Sequence, residues 1–284
     1  MRILALVQSE GSFINNFRWL TLWFGIPTRF LLPSGILWRA ENDACGRAIL
    51  RGRFENAERR FVERFLEPGM TVLDIGAHHG FFTLLASKKV GPAGRVIAFE
   101  PSPHERERLA RHLLWNSCNN VTVEEMALSD SNGQEELFLV EGKETGCNSL
   151  RPPRNLSAIK KLSVHVMRLE EYLRSKRIGT ADFIKLDVEG AELGVLKGAG
   201  AFLEHEPRPV LLCEVQDART EAWGYPASEI IHFLERLGFA WFMIREDGNL
   251  QRVAAKSQSN WDGNFVAAPP ERLDKLRNAR LVGD

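Results

Sequence analysis

The sequence predicts an α/β fold, with a mostly parallel sheet of seven strands and helices on both faces. Three observations predict it. From Glu55 onward, short apolar runs alternate with segments of helical period, the order that a parallel sheet with crossover helices requires. A Gly-bounded turn, Gly76-Ala77-His78-His79-Gly80, directly follows the first apolar run. An acidic residue, Glu100, ends the second. In open α/β sheets these positions border the ligand crevice.

The elements follow in order. Thr71–Ile75 reads as the first strand and Phe81–Lys89 as a helix. Arg95–Phe99 is the second strand. Pro103–Trp115 is a helix, with Ser102 as its N-cap and Pro103 at its first position, where proline's missing N–H costs nothing. Val121–Val123 is the third strand. Glu136–Val140 and Leu162–Val166 then interrupt the rhythm as an inserted β-pair, joined by a Gly-, Pro- and Asn-rich loop from Gly142 to Asn155. Asp182–Asp187 resumes the sheet, followed by a short helix over Ala191–Gly198 and a strand over Pro209–Glu214. A helix over Ala227–Leu237 ends at Gly238, the residue type expected just past a helix. Phe239–Ile244 and Asn264–Ala267 complete the sheet. These elements define a domain over 53–270, preceded by an aromatic segment, 1–52, and followed by a tail, 271–284. Trp19, Trp23 and Phe24 in the first segment are candidates for a lid over substrate or for core packing. Gly25, Pro27 and Pro33 break any long helix there.

Composition narrows the function. The 284 residues are 44% apolar and 26% charged, ordinary for a globular chain with ample core. Lys plus Arg and Asp plus Glu both total 37, for a net charge of zero. No whole-molecule field attracts nucleic acid or anionic lipid, so neither is expected as a partner. Cys45, Cys118, Cys147 and Cys213 are widely spaced with no CxxC, which reads as free thiols in a cytoplasmic protein. The apolar run Met1–Val7 is too short for a signal peptide, and no stretch approaches the ~20 apolar residues of a membrane span. A homo-oligomer is compatible with the sequence.

Chemistry concentrates in three motifs. In Asp74-Ile75-Gly76-Ala77-His78-His79-Gly80, Gly76 allows close backbone approach and Gly80 close helix packing. A dinucleotide fingerprint needs a second glycine where His78 stands, to admit a pyrophosphate. S-adenosylmethionine has no phosphate, and Asp74 suits its ammonium and sulfonium charges. In Phe99-Glu100-Pro101-Ser102, the acidic residue lies 20 positions after Gly80, the usual separation for a carboxylate that accepts ribose hydroxyls. The third motif, Ile184-Lys185-Leu186-Asp187-Val188-Glu189-Gly190-Ala191-Glu192, gathers acids at a strand end, where unpaired buried charges are costly. Lys185 is a candidate partner for them, expected to point to the opposite sheet face. Glu192 reads as a first-turn helix carboxylate, whereas Asp187 and Glu189 read as functional.

Together with Ala127-Leu128-Ser129-Asp130, these motifs resemble the FkbM-type methyltransferase family over about residues 53–267. The resemblance implies a Rossmann-like class I methyltransferase fold using S-adenosylmethionine, most often for O-methylation of hydroxyls on sugars and other natural products. It implies a cofactor lining of Asp74, Gly76, Gly80 and Glu100, with Glu55 reaching the same pocket. Ala77, His78, Ser102, Met126 and Ala127 complete the expected cofactor set. Asp187 and Glu189 are expected at the reaction centre, with His165 as a further candidate base. The acceptor is then a small hydroxylated molecule. His78 departs from the Asn of many relatives. Two other readings use the same fold: a nucleotide-dependent oxidoreductase, disfavoured by the missing glycine, and a cofactor-binding module without turnover. No metal site is assigned. His78 and His79 are expected to diverge as neighbours at a helix start. Glu214 could join Asp187 around Mg²⁺ or Ca²⁺, but nothing in the sequence fixes it.

Overall fold

A computed structural model describes residues 27–140, 142, 145–152, 159–254 and 261–282. In β3 (Thr71–Ile75) and β4 (Arg95–Phe99), every residue after the first is buried. Such continuous burial is expected where helices cover both faces of a sheet. Strands β10 (Val210–Gln216), β9 (Phe183–Leu186), β3, β4 and β5 (Val121–Glu124) lie side by side in that order and run parallel. Beyond β10, β13 (Asp262–Ala268) is antiparallel, followed by β11 (Ala240–Ile244) and β12 (Leu250–Val253). Among the described residues the sheet therefore has eight strands, one more than the sequence predicts. The extra strand, Leu250-Gln251-Arg252-Val253, is a short, half-polar edge strand with no apolar run to announce it.

The inserted pair is likewise a three-stranded sheet. β7 (Gly133–Val140) pairs antiparallel with β8 (Ile159–Arg168), and β6 (Ala127–Ser129) adds parallel to β8. At three residues, β6 is too short to show a periodicity.

Successive residues of a strand point to opposite faces, and the core divides accordingly. Val72 joins an apolar cluster with Phe61 and Phe65 of α2 (Asn56–Phe65) and Leu84 of α3 (Phe81–Val90). Leu73 joins the opposite cluster with Leu169 of α5 (Leu169–Ser175), Leu193 of α6 (Glu192–Ala199) and Ile230 of α8 (Ser228–Arg236). Helix α4 (Pro103–Trp115) begins at Pro103 as expected, but the Ser102 side chain makes no cap bond.

The flanks belong to the same body. β1 (Thr28–Leu31) and β2 (Leu37–Ala40) form a hairpin that leads to α1 (Ala44–Leu50). Phe30, Ile36, Trp38, Ile49 and Leu50 are buried in the cluster that holds Phe61. Trp19, Trp23 and Phe24 lie outside the described residues. At the other end, α9 (Leu273–Asn278) buries Leu276, and Leu281 follows it into that core. Residues 271–282 are thus a packed part of the domain, because Leu273 and Leu276, one turn apart, give the short helix one apolar side, and Leu281 adds to it from the chain beyond. Among the described residues, no helix is long and apolar enough to cross a membrane.

Arg208 fixes that C-terminal element. Its Nε and Nη2 donate to the two carboxylate oxygens of Glu271 at 2.9 and 2.8 Å, and its backbone N–H donates to Oε1 at 3.1 Å. These hydrogen bonds hold the Glu271 carboxyl down at about 2, against an ordinary 4.5. A carboxyl lowered on folding stabilises the fold above its ordinary value and loses that contribution as pH falls through the lowered one. Wild type should therefore exceed Glu271→Gln in stability by a constant margin at neutral pH. That margin should shrink between pH 4.5 and about 2. Urea midpoints of both proteins over this range check it, and a margin unchanged at pH 2 would contradict the assignment.

Candidate active site

From β3 the chain proceeds outward to β4 and β5, whereas β9 and β10 lie on the other side of β3. This reversal leaves a crevice at the C-terminal strand ends, where open α/β sheets bind ligands. A cavity of about 390 Å³ occupies it. Gly76, after β3, has φ +85°, and a Cβ there would run into the Asp187 carbonyl after β9. Position 76 is glycine because two strand ends meet there.

On the β4 side, Glu100 is buried and held by backbone donors. His78 N–H donates to its Oε2 at 2.7 Å and Ser102 N–H to its Oε1 at 2.9 Å. Burial pushes its carboxyl up to about 7, against the pull of these bonds. Ser102 therefore acts on Glu100 through its backbone and does not itself line the cavity. Gly80 does not line it either: its φ of +85° starts α3, and a Cβ would collide with Leu109 of α4. Both were expected at the cofactor, yet one positions a carboxylate and the other lets two helices touch. Ala77, His78, Met126 and Ala127 do line the cavity.

Asp74, 1% exposed, accepts a hydrogen bond from Thr83 at Oδ2, while its Oδ1 has no partner. Burial raises its carboxyl, and Lys185 opposes this. Glu55 also lines the cavity, with Oε2 buried and unpartnered. Burial pushes it up to about 8, against the attraction of Lys185.

On the β9 side, Lys185 donates to Asp187 Oδ2 at 2.8 Å. The two stand at alternate positions on one face, so Lys185 does not point to the opposite face as expected: the two-residue period of an extended chain puts it beside Asp187. Burial works against the ammonium form of Lys185, but the carboxylates of Asp187, Glu55 and Asp74 outweigh it and hold the ammonium above its ordinary value. Glu189 pairs with Arg219 Nε at 2.9 Å. Burial and the Asp187 charge push Glu189 up to about 8, and the same two causes raise Glu214, whose Oε2 is buried without a partner. Asp187, Glu189 and Glu214 each offer one oxygen within 4.8 Å of the others. Three non-glycine residues with positive φ line the cavity: Glu55 (40°), His78 (50°) and Glu189 (56°). Left-handed backbone at such residues is strained, and here it aims side chains at one space.

His165, the third candidate base, is corrected. It is exposed on β8, while its neighbours Val164 and Val166 are buried. Strand alternation that buries two valines turns the imidazole to solvent, away from the cavity. The histidine pair also departs from expectation: the rings of His78 and His79 stack, with centroids 3.5 Å apart. Burial pushes His78 down to about 3.

Residues outside the three motifs complete the walls. Phe54 and Cys45 come from the segment leading to α2, and Gly146–Leu150 from the inserted loop. Arg219 belongs to the four-residue helix α7 (Asp217–Thr220), whose sequence carries no signal for a site. Gly190, at φ +99°, makes room for the Arg219 backbone.

The donor set fits S-adenosylmethionine. The unpartnered Asp74 oxygen and the acidic surroundings suit a cofactor with ammonium and sulfonium charges. The doubly anchored Glu100 carboxylate keeps lone pairs for two hydroxyls, and no glycine gap exists for a pyrophosphate.

Comparison with known proteins agrees. The methyltransferase FkbM domain matches residues 74–240. The AMB antimetabolite synthetase AmbE of Pseudomonas aeruginosa is 29% identical over 245 residues, covering 74% of this chain and 11% of that protein. The 2-O-methyltransferase NoeI of Sinorhizobium fredii is 28% identical over 152 residues, covering 49% and 61%. The ribosomal RNA large subunit methyltransferase E of Buchnera aphidicola is 29% identical over 109 residues, covering 37% and 53%. The chain thus spans less than two thirds of each of these relatives. The domain match takes in both sides of the cavity and more than half of the chain, which belongs to the FkbM methyltransferase family.

Proposed function

We propose that the protein methylates a hydroxyl oxygen of a small molecule, a sugar or another natural product, at the carboxylate cluster formed after β9 and on β10. The observation that carries this reading is the Lys185–Asp187 pair. It places an oriented carboxylate two strands over from Glu100, across β3, and beside Glu189 and Glu214. NoeI, whose name specifies 2-O-methylation, supports an oxygen acceptor.

S-adenosylmethionine supplies an electrophilic methyl group on a sulfonium. The Glu100 carboxylate would hold its ribose hydroxyls, and Asp74 Oδ1 with Glu55 would hold its ammonium. Met126 and Ala127 border the nucleoside. Alignment is the main requirement of methyl transfer, and positioning of this kind can supply ~7–11 kcal/mol of a barrier. A hydroxyl attacks well only as its proton leaves. Asp187 takes that proton, with Lys185 fixing the carboxylate through Oδ2. Glu189, braced by Arg219, anchors the acceptor. The Gly146–Leu150 loop limits acceptor size and excludes water.

Two predictions test this reading. Glu100→Ala should lose ~1.5–3 kcal/mol of affinity for S-adenosylhomocysteine, the usual worth of hydrogen bonds to a charged group. Calorimetry measures it, and unchanged affinity would remove Glu100 from the ribose role. A parallel titration with NAD should show no binding. Asp187→Asn should retain that affinity while single-turnover methyl transfer to a panel of hydroxylated acceptors falls by ~10²–10⁴, the cost of a lost general base. A near wild-type rate would move the base role to Glu189. Methylation of RNA in place of the small acceptors would replace the acceptor assignment.

A further inference from the structure

We propose that Cys45, His78 and His79 bind a zinc-like transition-metal cation that ties α1 to the glycine turn. The site does not depend on the acceptor reading above; it borders the same cavity and shares His78 with the expected cofactor set, where the backbone N–H, not the ring, holds Glu100. One donor atom from each of the three residues lies within 4.8 Å of the others. Cys45 is the second residue of α1, and the two histidines come from the turn just before α3. Consecutive side chains normally leave the backbone in different directions. Here the positive φ of His78 brings the two rings into a stack, 3.5 Å between centroids and 25° between planes.

Two further observations point to a cation. First, His79 is 1% exposed, yet its Nδ1 makes no hydrogen bond, and the Nε2 of His78 is also buried without one. Buried polar atoms without partners are costly, and a metal bond to an imidazole nitrogen removes that cost. Glu105 Oε2 lies against His79 Nε2 and 3.6 Å from His78 Nε2. It can act as a fourth ligand or as the carboxylate that orients a metal-bound histidine.

Second, the local charges do not cancel. Arg108 Nη2 bonds Asp43 Oδ2 at 2.8 Å, and its Nη1 lies 3.5 Å from Glu105 Oε2. All three residues are buried. Two carboxylates thus face one guanidinium, and the further partner of Glu105, the His104 imidazole at 2.9 Å from Oε1, is exposed to solvent. A divalent cation bound by a thiolate adds one net positive charge and balances the group. Buried charge without such pairing is expensive.

The donor set selects the metal. One sulfur and two imidazole nitrogens suit zinc and its neighbours, with Zn–S near ~2.3 Å and Zn–N near ~2.0–2.1 Å. Magnesium and calcium prefer all-oxygen sets. The donors must draw in from their present spacing by side-chain rotation. As the metal–sulfur bond forms, the Cys45 thiol releases its proton to solvent, and no electron is transferred.

Cobalt(II) is the direct probe. The full chain, stripped by a chelator, should take up one equivalent of Co²⁺ and develop a thiolate-to-cobalt charge-transfer absorption, which Zn²⁺ then displaces. Cys45→Ser should abolish that absorption and weaken Zn²⁺ binding by at least ~100-fold, more than the loss of an outer hydrogen-bond partner costs. Asp187→Asn should leave it intact, because the carboxylate cluster contains no sulfur. Zn²⁺ should also protect Cys45 of the wild-type chain from alkylation, read by mass spectrometry. Absence of the charge-transfer absorption in the wild-type chain overturns the proposal, as does its persistence in Cys45→Ser. The first reading needs no variant to fold.

Discussion

The Asp187 carbonyl fills the space where a side chain at position 76 would begin. The two strand ends are further joined by the Asp187 N–H, which donates to the Ile75 carbonyl at 3.1 Å. Gly76 N–H in turn donates to Phe99 O, also at 3.1 Å. Three strand ends are thus pinned within one turn of chain. Glu100 follows the first, the glycine turn the second and Asp187 the third. The placement of both halves of the cavity relative to each other depends on that contact, because no other residue type permits it.

The pinned turn gathers charge that the core would otherwise reject. Lys185 is buried among Asp187, Glu55 and Asp74, and one cation serves three acids. Arg219 performs the same task for Glu189. Even so, oxygens of Asp74, Glu55 and Glu214 remain buried and unpartnered. A protein selected for stability alone would have little reason to keep them. Their presence marks the cavity as a place where a cationic ligand completes the charge balance.

What the sequence revealed and what it hid have physical reasons. The parallel strands were legible because burial on both faces makes them continuous apolar runs, as in Thr71–Ile75 and Phe183–Leu186. The carboxylates were legible because Glu100, Asp187 and Glu189 sit at the ends of those strands. β12 was not, since an edge strand needs no apolar face, and neither was the three-residue β6. Lys185 could have been placed beside Asp187 from the two-residue period alone. Ser102 and Gly80 lie in the expected motif, yet they act on neighbours. Only coordinates separate a residue that touches a ligand from one that shapes its neighbour. Arg219 and Cys45 come from other parts of the chain, and no local pattern announces that the fold returns them to the crevice.

The cavity has walls of two kinds. The floor is made of strand ends that cannot shift without breaking the sheet. Much of the remaining wall comes from α1, the Gly146–Leu150 loop and α7, which lie outside the parallel strands. Loops and short helices accept insertions and substitutions far more readily than a central sheet does. A lineage that keeps Gly76, Glu100 and Asp187 can therefore exchange these three pieces one at a time. It can change which molecule is accepted while retaining the means of transfer, so diversity among relatives should be concentrated in the cladding of the cavity and be sparse in its foundation.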